Sequence, residues 1–368
     1  MRVFARPVVY LLAVFACAGV FASDFDDLAA RAKSAREAND IRHAIDLYQK
    51  ALALKQDWTE GWWFLGTLAY DGDQYGTCRS AFTEFVKLED KAGAGWGFLG
   101  LCEFDTGDYS LALKHLRRSI ELGAERDPNI GKVLRFHEAI ILTKLGLFDQ
   151  ALPAFMPLVR GGIQNPVLTS AVGLASLRRA LLPQEITADQ QELISVVGKT
   201  AYLWMSGDTS KTGPAFEELV KAYPTTPGVH YLYATYLLSF RPAEEAVAEL
   251  KRELEVNPHS ADARATVALL MFRAGAAAPA QTLARQAAQD GPTCPIAQYT
   301  YGLVLAGDGQ LNDAIQHFET AERLDPANVE YHMGLAGAYS RAGRDEDARR
   351  ERQTSIRLAK GSNSSGPG

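Results

Sequence analysis

Few residues of this sequence stand at spacings that support catalysis or metal binding. His137-Glu138 could begin a zinc-binding helix, but Ile141 stands where the second histidine ligand would be. Lys211-Thr212-Gly213 lacks the preceding glycines of a phosphate-binding loop and predicts a turn that opens a helix. The seven histidines are scattered, without cysteines or carboxylates at ligand spacing. We therefore expect no catalytic residue, no metal site and no cofactor.

The composition predicts a large ordered protein. The 368 residues are 47% hydrophobic and carry a formal charge of −6, with ordinary glycine and proline contents. A chain of this length can bury the core of two or three domains. No long basic run occurs, which argues against nucleic acid as a partner.

The N-terminal segment has the pattern of an export signal. Arg2 and Arg6 precede an apolar stretch, 8–20, and Val20-Phe21-Ala22 offers small residues at signal-peptidase spacing. The stretch is shorter than the ~20 apolar residues that span a membrane. We expect residues 1–22 to be a cleaved signal peptide, followed by a protein without membrane insertion. The alternative is a lipoprotein, with Val14-Phe15-Ala16-Cys17 as a loose lipidation site and a lipid anchor on Cys17.

Internal repetition dominates the remainder of the chain. Prolines recur every 34 residues, and so do alanines and glycines in their own columns; the proline positions are Pro224, Pro258, Pro292 and Pro326. In the window from 295, Tyr299, Gly302 and Leu305 share one helical face, and Ala314 and Phe318 share a second. Gly309 separates the two faces, and Pro326 ends the unit. Each period therefore predicts two helices.

These columns resemble the tetratricopeptide repeat (TPR). The residues that carry the resemblance are Trp62, Leu65, Gly66, Ala69, Tyr75 and Phe82; Trp96, Leu99, Gly100, Gly107, Tyr109 and Ala112; and Tyr301, Gly302, Ala314, Phe318, Ala321 and Pro326. The resemblance covers about residues 25 to 360. It implies an all-α, right-handed superhelical solenoid of stacked antiparallel helix pairs, with about eight to nine units. It also implies a non-catalytic scaffold with a protein or peptide partner.

The repeat register defines the expected domains. Units begin at 25, 59 and 93, another spans 132–165, and five more begin at 193, 227, 261, 295 and 329. We expect an N-terminal subarray at 23–165, an irregular helical connector at 166–192 with one unpartnered helix, a C-terminal subarray at 193–360 and a flexible tail at 361–368. Pro157 is expected to kink or end its helix. Arg349 to Arg352 are expected to make the last helix solvated, as a capping repeat requires.

The repeats suggest one disulfide. No cysteines form a close pair of the metal-binding or thioredoxin type. Cys78 falls in a predicted second helix, and Cys102 falls in the first helix of the next unit, which packs beside it. A bridge requires Cα atoms within about 7 Å and an oxidising compartment. A buried free thiol is the alternative for Cys78.

The first helices of stacked pairs line the inner surface, where we predict the partner-binding site. An aromatic-lined concave groove there suits a peptide or an amphipathic helix. The alternative is that tight curvature buries the same side chains as core. A terminal-carboxylate clamp is absent, because Trp63, Thr67, Gly97 and Leu101 occupy its places. The candidate residues are Trp63, Tyr70, Phe104, Phe136, Trp204, Tyr231, Phe272 and Tyr299.

Three functional hypotheses follow. The first is an exported, periplasmic or secreted bacterial scaffold or adaptor in the cell envelope. The second is an outer-membrane lipoprotein subunit of an assembly or secretion machine, anchored through Cys17. The third is a carbohydrate-processing or carbohydrate-binding accessory protein, which would need convergent titratable residues in a deep pocket.

Overall fold

The computed structural model describes the backbone of residues 11–364 and the side chains of residues 24–360. The side chains of the predicted signal sequence, of the predicted cleavage site and of Cys17 therefore all lie outside the description. The described backbone is helical and contains no strand, which confirms the all-α class. A search of the described helices for an apolar stretch long enough to cross a membrane finds none.

The chain divides into two compact units, 1–145 and 146–368, which we call the N-terminal unit and the C-terminal unit. The division falls inside the predicted repeat at 132–165. The N-terminal unit contains a short 3-10 helix, Ala124–Arg126, and seven α-helices: α1 (Leu11–Glu37), α2 (Ile41–Leu54), α3 (Thr59–Asp71), α4 (Tyr75–Leu88), α5 (Gly93–Asp105), α6 (Tyr109–Glu121) and α7 (Gly131–Lys144).

The C-terminal unit contains a 3-10 helix, Pro183–Glu185, and twelve described α-helices. They are α8 (Phe148–Arg160), α9 (Pro166–Ser176), α10 (Gln191–Ser206), α11 (Thr209–Ala222), α12 (Val229–Phe240), α13 (Ala243–Val256), α14 (Ala261–Arg273), α15 (Ala277–Asp290), α16 (Pro295–Gly307), α17 (Leu311–Leu324), α18 (Val329–Arg341) and α19 (Asp345–Ser364). Consecutive helices pack as pairs in both units.

The expectation that the helix after residue 165 has no partner is wrong. α9 packs along α10 as closely as many repeat pairs do. A Cβ atom on Gly173 would come within 2.3 Å of the Ile194 carbonyl oxygen, and one on Gly198 would come within 2.0 Å of the Thr169 carbonyl oxygen. The two glycines therefore let the backbones touch, so residues 166–206 form a helix pair of their own.

Turns inside the pairs use a left-handed residue at the 34-residue period. Gly275, Gly309 and Gly343 have φ values of 82°, 81° and 76°. At Gly309 the next amide, that of Gln310, donates to the Leu305 carbonyl at 2.9 Å. This bond satisfies a carbonyl at the helix end and reverses the chain. It confirms the predicted break at Gly309.

A second periodic hydrogen bond fixes the loop that precedes each first helix. The indole N–H groups of Trp62 and Trp96 donate to carbonyls six residues upstream, at 2.8 Å in both cases. In the C-terminal unit the same place holds His230 and His332, whose Nε2 atoms lie 2.9 and 3.0 Å from the carbonyls of Pro224 and Pro326. Gln298 makes the equivalent bond to Pro292 at 3.3 Å. The repeat thus keeps an N–H donor at this position while its residue type changes.

Three further expectations about the helices are corrected. α8 does not end at Pro157 but continues to Arg160, and the exposed residues Pro153 and Pro157 both lie inside it. Glu351 is buried rather than solvated, because its carboxylate pairs with His332. α19 extends to Ser364, four residues into the expected flexible tail, and residues 365–368 lie outside the description.

The N-terminal unit contains a disulfide between Cys78 of α4 and Cys102 of α5. The Cα atoms are 5.9 Å apart, and both side chains are fully buried. This confirms the predicted pair and joins the second helix of one repeat to the first helix of the next. Cys294 remains a free thiol.

Candidate partner-binding site

All eight predicted aromatic residues fall into two sequence columns of the repeat. Trp63, Phe136, Tyr231 and Tyr299 belong to the first, here called the Trp63 column. Tyr70, Phe104, Trp204 and Phe272 belong to the second, here called the Tyr70 column. Positions 63 and 70 are two helical turns apart and therefore share one face of the first helix. Phe136 lies on α7, the first helix of the unit at 132–165.

In the Trp63 column, Trp63 and Tyr299 pack against buried aromatic rings. The Trp63 ring lies 5.6 Å from Phe82 and 5.3 Å from Phe85, both on α4. Tyr299 is only 7% exposed and contacts Phe318 and Tyr331, at ring distances of 5.6 and 4.9 Å. Burial raises the pKa of the Tyr299 phenol to about 12. Tyr299 is therefore inaccessible to a partner in this structure.

The inner face around Tyr231 is occupied by Arg178. This arginine follows α9 with a φ of 53° and lies between two carboxylates, those of Asp149 at 2.8 Å and Asp262 at 2.7 Å. Its guanidinium also covers the Tyr231 ring, 5.5 Å from the centroid. Burial lowers the pKa of Arg178, but the two carboxylates outweigh it and hold the pKa well above the usual value. This ion cluster ties α8, α9, α12 and α14 together within the C-terminal unit.

No ring of the Tyr70 column is buried, whereas Tyr299 of the Trp63 column is. Tyr70, Phe104, Trp204 and Phe272 are all half-buried. In the N-terminal unit the Tyr70 ring contacts Tyr75 at 5.8 Å, and the Phe104 ring contacts His137 at 5.0 Å. Phe136 is also half-buried and contacts the same His137 ring at 5.8 Å. Tyr70, Phe104 and Phe136 thus form an accessible aromatic surface on α3, α5 and α7, which we call the α3–α5–α7 face.

Carboxylates border this face. Burial raises the pKa of the Tyr70 phenol, and Asp105, Asp71 and Asp73 raise it further. Partial desolvation by the surrounding protein, together with the neighbouring Asp73, likewise raises the pKa of the Asp105 carboxyl. The three aspartates are exposed, so they create a negative border beside the aromatic rings.

Phe98 belongs to the same aromatic assembly and was not predicted. It stacks on Phe82 at 5.1 Å and contacts Trp63 and Tyr70 at 5.6 and 5.9 Å. The sequence contains a signal for it, since Phe64 and Phe98 are one period apart. The Phe98 ring contacts both the buried Phe82 ring and the Tyr70 ring, and so connects the core to the α3–α5–α7 face.

Histidines and carboxylates pair with each other rather than gathering into a metal centre. Nδ1 of His115 lies 2.7 Å from Glu103, and Nδ1 of His230 lies 2.7 Å from Glu249. Within residues 24–360, no group of three histidine, cysteine, aspartate or glutamate side chains could hold a metal ion. His137 lies among aromatic rings, and burial lowers its pKa.

The helix pairs, the periodic turns and the half-buried aromatic faces define a helical repeat solenoid. Family models described as tetratricopeptide repeats match residues 65–128 and 305–354. The chain therefore contains tetratricopeptide repeats, and such repeats generally act as scaffolds for protein interaction.

The solved structures that match this chain align with different shares of it. MamA 41-end from Desulfovibrio magneticus RS-1 has 18% identity and a TM-score of 0.37, over 46% of this chain and 96% of its own. The APC/C hetero-tetramer Cut9-Hcn1 has 15% identity and a TM-score of 0.35, over 91% of this chain and 72% of its own. Yeast Tom70 has 15% identity and a TM-score of 0.34, over 91% of this chain and 69% of its own. None of the curated proteins matches the sequence.

Proposed function

We propose that this protein is an exported, non-catalytic scaffold of the bacterial cell envelope that binds an amphipathic segment of a protein partner. The Arg2–Ala22 pattern supports export. The buried Cys78–Cys102 disulfide also supports it, because structural disulfides persist in oxidising compartments. The destination is the periplasm or the exterior.

The α3–α5–α7 face is the proposed docking surface. The observation that carries this proposal is the half-buried set of Tyr70, Phe104 and Phe136, bordered by the carboxylates of Asp71 and Asp105. Aromatic side chains at the centre of an interface supply most of its binding energy. A negative border favours a positively charged ligand and disfavours an acidic one. The partner segment is therefore apolar on one side, with lysine or arginine beside the apolar residues.

A peptide-display selection on the mature protein tests the docking surface. The enriched peptides are expected to combine leucine or aromatic residues with lysine or arginine. Phe104→Ala should weaken their binding by about 1–3 kcal/mol, and Asp105→Asn should weaken it more at low salt than at high salt. Phe240→Ala is the matched control, because Phe240 is an exposed aromatic of the C-terminal unit.

Thermal melting separates docking from folding roles. Trp63→Ala removes a ring packed on three phenylalanines and is expected to cost about 3–5 kcal/mol of stability. Phe104→Ala should cost less, because the Phe104 ring contacts Tyr109 and His137 rather than three phenylalanines of the core. Selected peptides that bind Phe104→Ala and Tyr70→Ala as tightly as the parent would exclude this face as the docking surface.

The lipoprotein hypothesis is a separate proposal about the anchor. Val14-Phe15-Ala16-Cys17 supports it, and it predicts a mature chain that starts at a lipid-modified Cys17. Intact mass and N-terminal sequencing of the exported protein distinguish the two, since signal cleavage without a lipid leaves Ser23 as the first residue.

A further inference from the structure

The C-terminal unit contains an apolar cavity of about 490 Å³. Its walls come from α8, α10 and the adjoining ends of α9, α11 and α12. The apolar wall residues include Leu152, Met156, Ala201, Trp204, Met205 and Phe240. The volume lies within the ~300–1,000 Å³ of small-molecule sites. Phe240 is 56% exposed, so the cavity opens to solvent beside an apolar side chain.

Two contacts hold the walls in place. The Tyr202 hydroxyl of α10 lies 3.3 Å from the Val159 carbonyl and 3.2 Å from the Ile163 carbonyl, at the end of α8. On another side of α10, the backbones of α9 and α10 meet at Gly173 and Gly198. The cavity is therefore preformed, which lowers the entropic cost of ligand binding.

The polar groups at the cavity are few and unpartnered. Ser176 is 3% exposed, and its Oγ atom makes no hydrogen bond. Arg160 is exposed, so its guanidinium lies at the opening, and it forms no ion pair with any residue of 24–360. Asp208 lies between the wall residues Gly207 and Thr209, and its carboxylate forms an ion pair with Lys211 at 2.9 Å. Arg160 thus leaves a positive charge uncompensated beside an apolar interior.

We propose that this cavity binds a long-chain carboxylate, with the acyl chain inside and the carboxylate on Arg160. An extended peptide would bring backbone amides into a wall that offers almost no hydrogen-bond partners, and each buried amide without a partner disfavours binding. An acyl chain has no such groups. The Arg160 guanidinium offers a carboxylate paired, charge-assisted hydrogen bonds. This ligand site goes beyond the scaffold function.

Calorimetric titration with dodecanoate and with dodecyltrimethylammonium tests the site, because the two amphiphiles share a chain and differ in the sign of the head group. Both are used below the concentrations at which they form micelles. Dodecanoate is expected to bind one molecule per chain, at least tenfold more tightly than the cation. Arg160→Gln should weaken dodecanoate binding by about tenfold and should reduce the preference for dodecanoate over the cation. The matched control is Arg285→Gln, because Arg285 is another exposed arginine of this unit, on α15.

A cavity-filling substitution tests the acyl position. Ala201→Phe should abolish dodecanoate binding while retaining the helical circular dichroism spectrum. Met156→Trp fills the cavity from α8 and replaces Ala201→Phe if that variant does not fold. Absence of dodecanoate binding in the parent protein overturns the proposal. So does binding that is unchanged in a folded cavity-filling variant, or unchanged in Arg160→Gln.

Discussion

His332 on α18 and Glu351 on α19 form a buried pair, with Nδ1 2.8 Å from the carboxylate. The other ring nitrogen, Nε2, lies 3.0 Å from the Pro326 carbonyl. The imidazole therefore joins the loop, the first helix and the second helix of one repeat. His230, Glu249 and Pro224 repeat the arrangement three periods earlier, with distances of 2.7 and 2.9 Å.

This pair predicts coupled losses of stability. His332→Ala and Glu351→Ala should each lower the free energy of unfolding by about 1–3 kcal/mol, because each leaves a buried partner unsatisfied. The double variant should lose less than the sum, by about 0.5–3 kcal/mol. Urea unfolding of the four proteins measures this coupling. His259→Ala serves as control, because the His259 side chain is 85% exposed. Additive losses would show that the two side chains do not stabilise each other.

Two glycines of α18 should respond oppositely to alanine. A Cβ atom at Gly334 would come within 2.8 Å of the Tyr299 ring, whereas one at Gly337 would meet nothing within 4 Å. Gly334→Ala should therefore cost about 1–3 kcal/mol through overpacking. Gly337→Ala should stabilise by about 0.5–1 kcal/mol, because alanine is the better helix former. Chemical denaturation measures the free energy of unfolding of both variants. Equal changes in that free energy would refute the packing explanation.

The Cys78–Cys102 disulfide predicts one free thiol in each mature chain. A chain that begins at Ser23 has three cysteines, and denaturation without reductant should expose only Cys294 to a thiol reagent. In the folded protein this thiol should react slowly, because burial and Asp262 raise its pKa well above the usual value. Cys78→Ser with Cys102→Ser should cost about 2–4 kcal/mol. A count of three thiols contradicts the bridge.

The buried carboxyl group of Glu253 is expected to make the stability of the protein depend on pH. Its carboxylate is 1% exposed and accepts the Gly228 amide at 2.8 Å, before the start of α12. Burial raises the pKa of Glu253 despite this bond, so the folded state binds the proton more tightly than the unfolded state. The stability that protonation contributes is present at acidic pH and is lost as pH rises through the raised pKa. Glu253→Gln cannot titrate, so its stability relative to the parent should increase from pH 4 to pH 7. Urea unfolding across this range measures the difference, and a constant difference would contradict the raised pKa.

The sequence alone determined the helix pairs and their period. Glycine, proline and small residues act locally, through backbone dihedrals and close helix contacts, so their spacing is visible in the chain itself. Gly309 and Pro326 could be assigned to a turn and to the end of a repeat for this reason. Cys78 and Cys102 could be paired because neighbouring elements of a solenoid are also neighbours in sequence.

Only the tertiary structure decided which aromatic residues are accessible. Trp63 and Tyr70 share a helical face and are both half-buried, yet the Trp63 ring packs on Phe82 and Phe85 of α4, whereas the Tyr70 ring contacts Tyr75 and Phe98. The sequence predicted the same environment for Tyr231 and Phe104, but Arg178 covers Tyr231 through ion pairs with Asp149 and Asp262. These contacts join residues far apart in the chain, because they depend on how successive repeats are rotated. The rotation between successive repeats results from many side-chain contacts at once, so it cannot be predicted from the spacing of residues in one repeat.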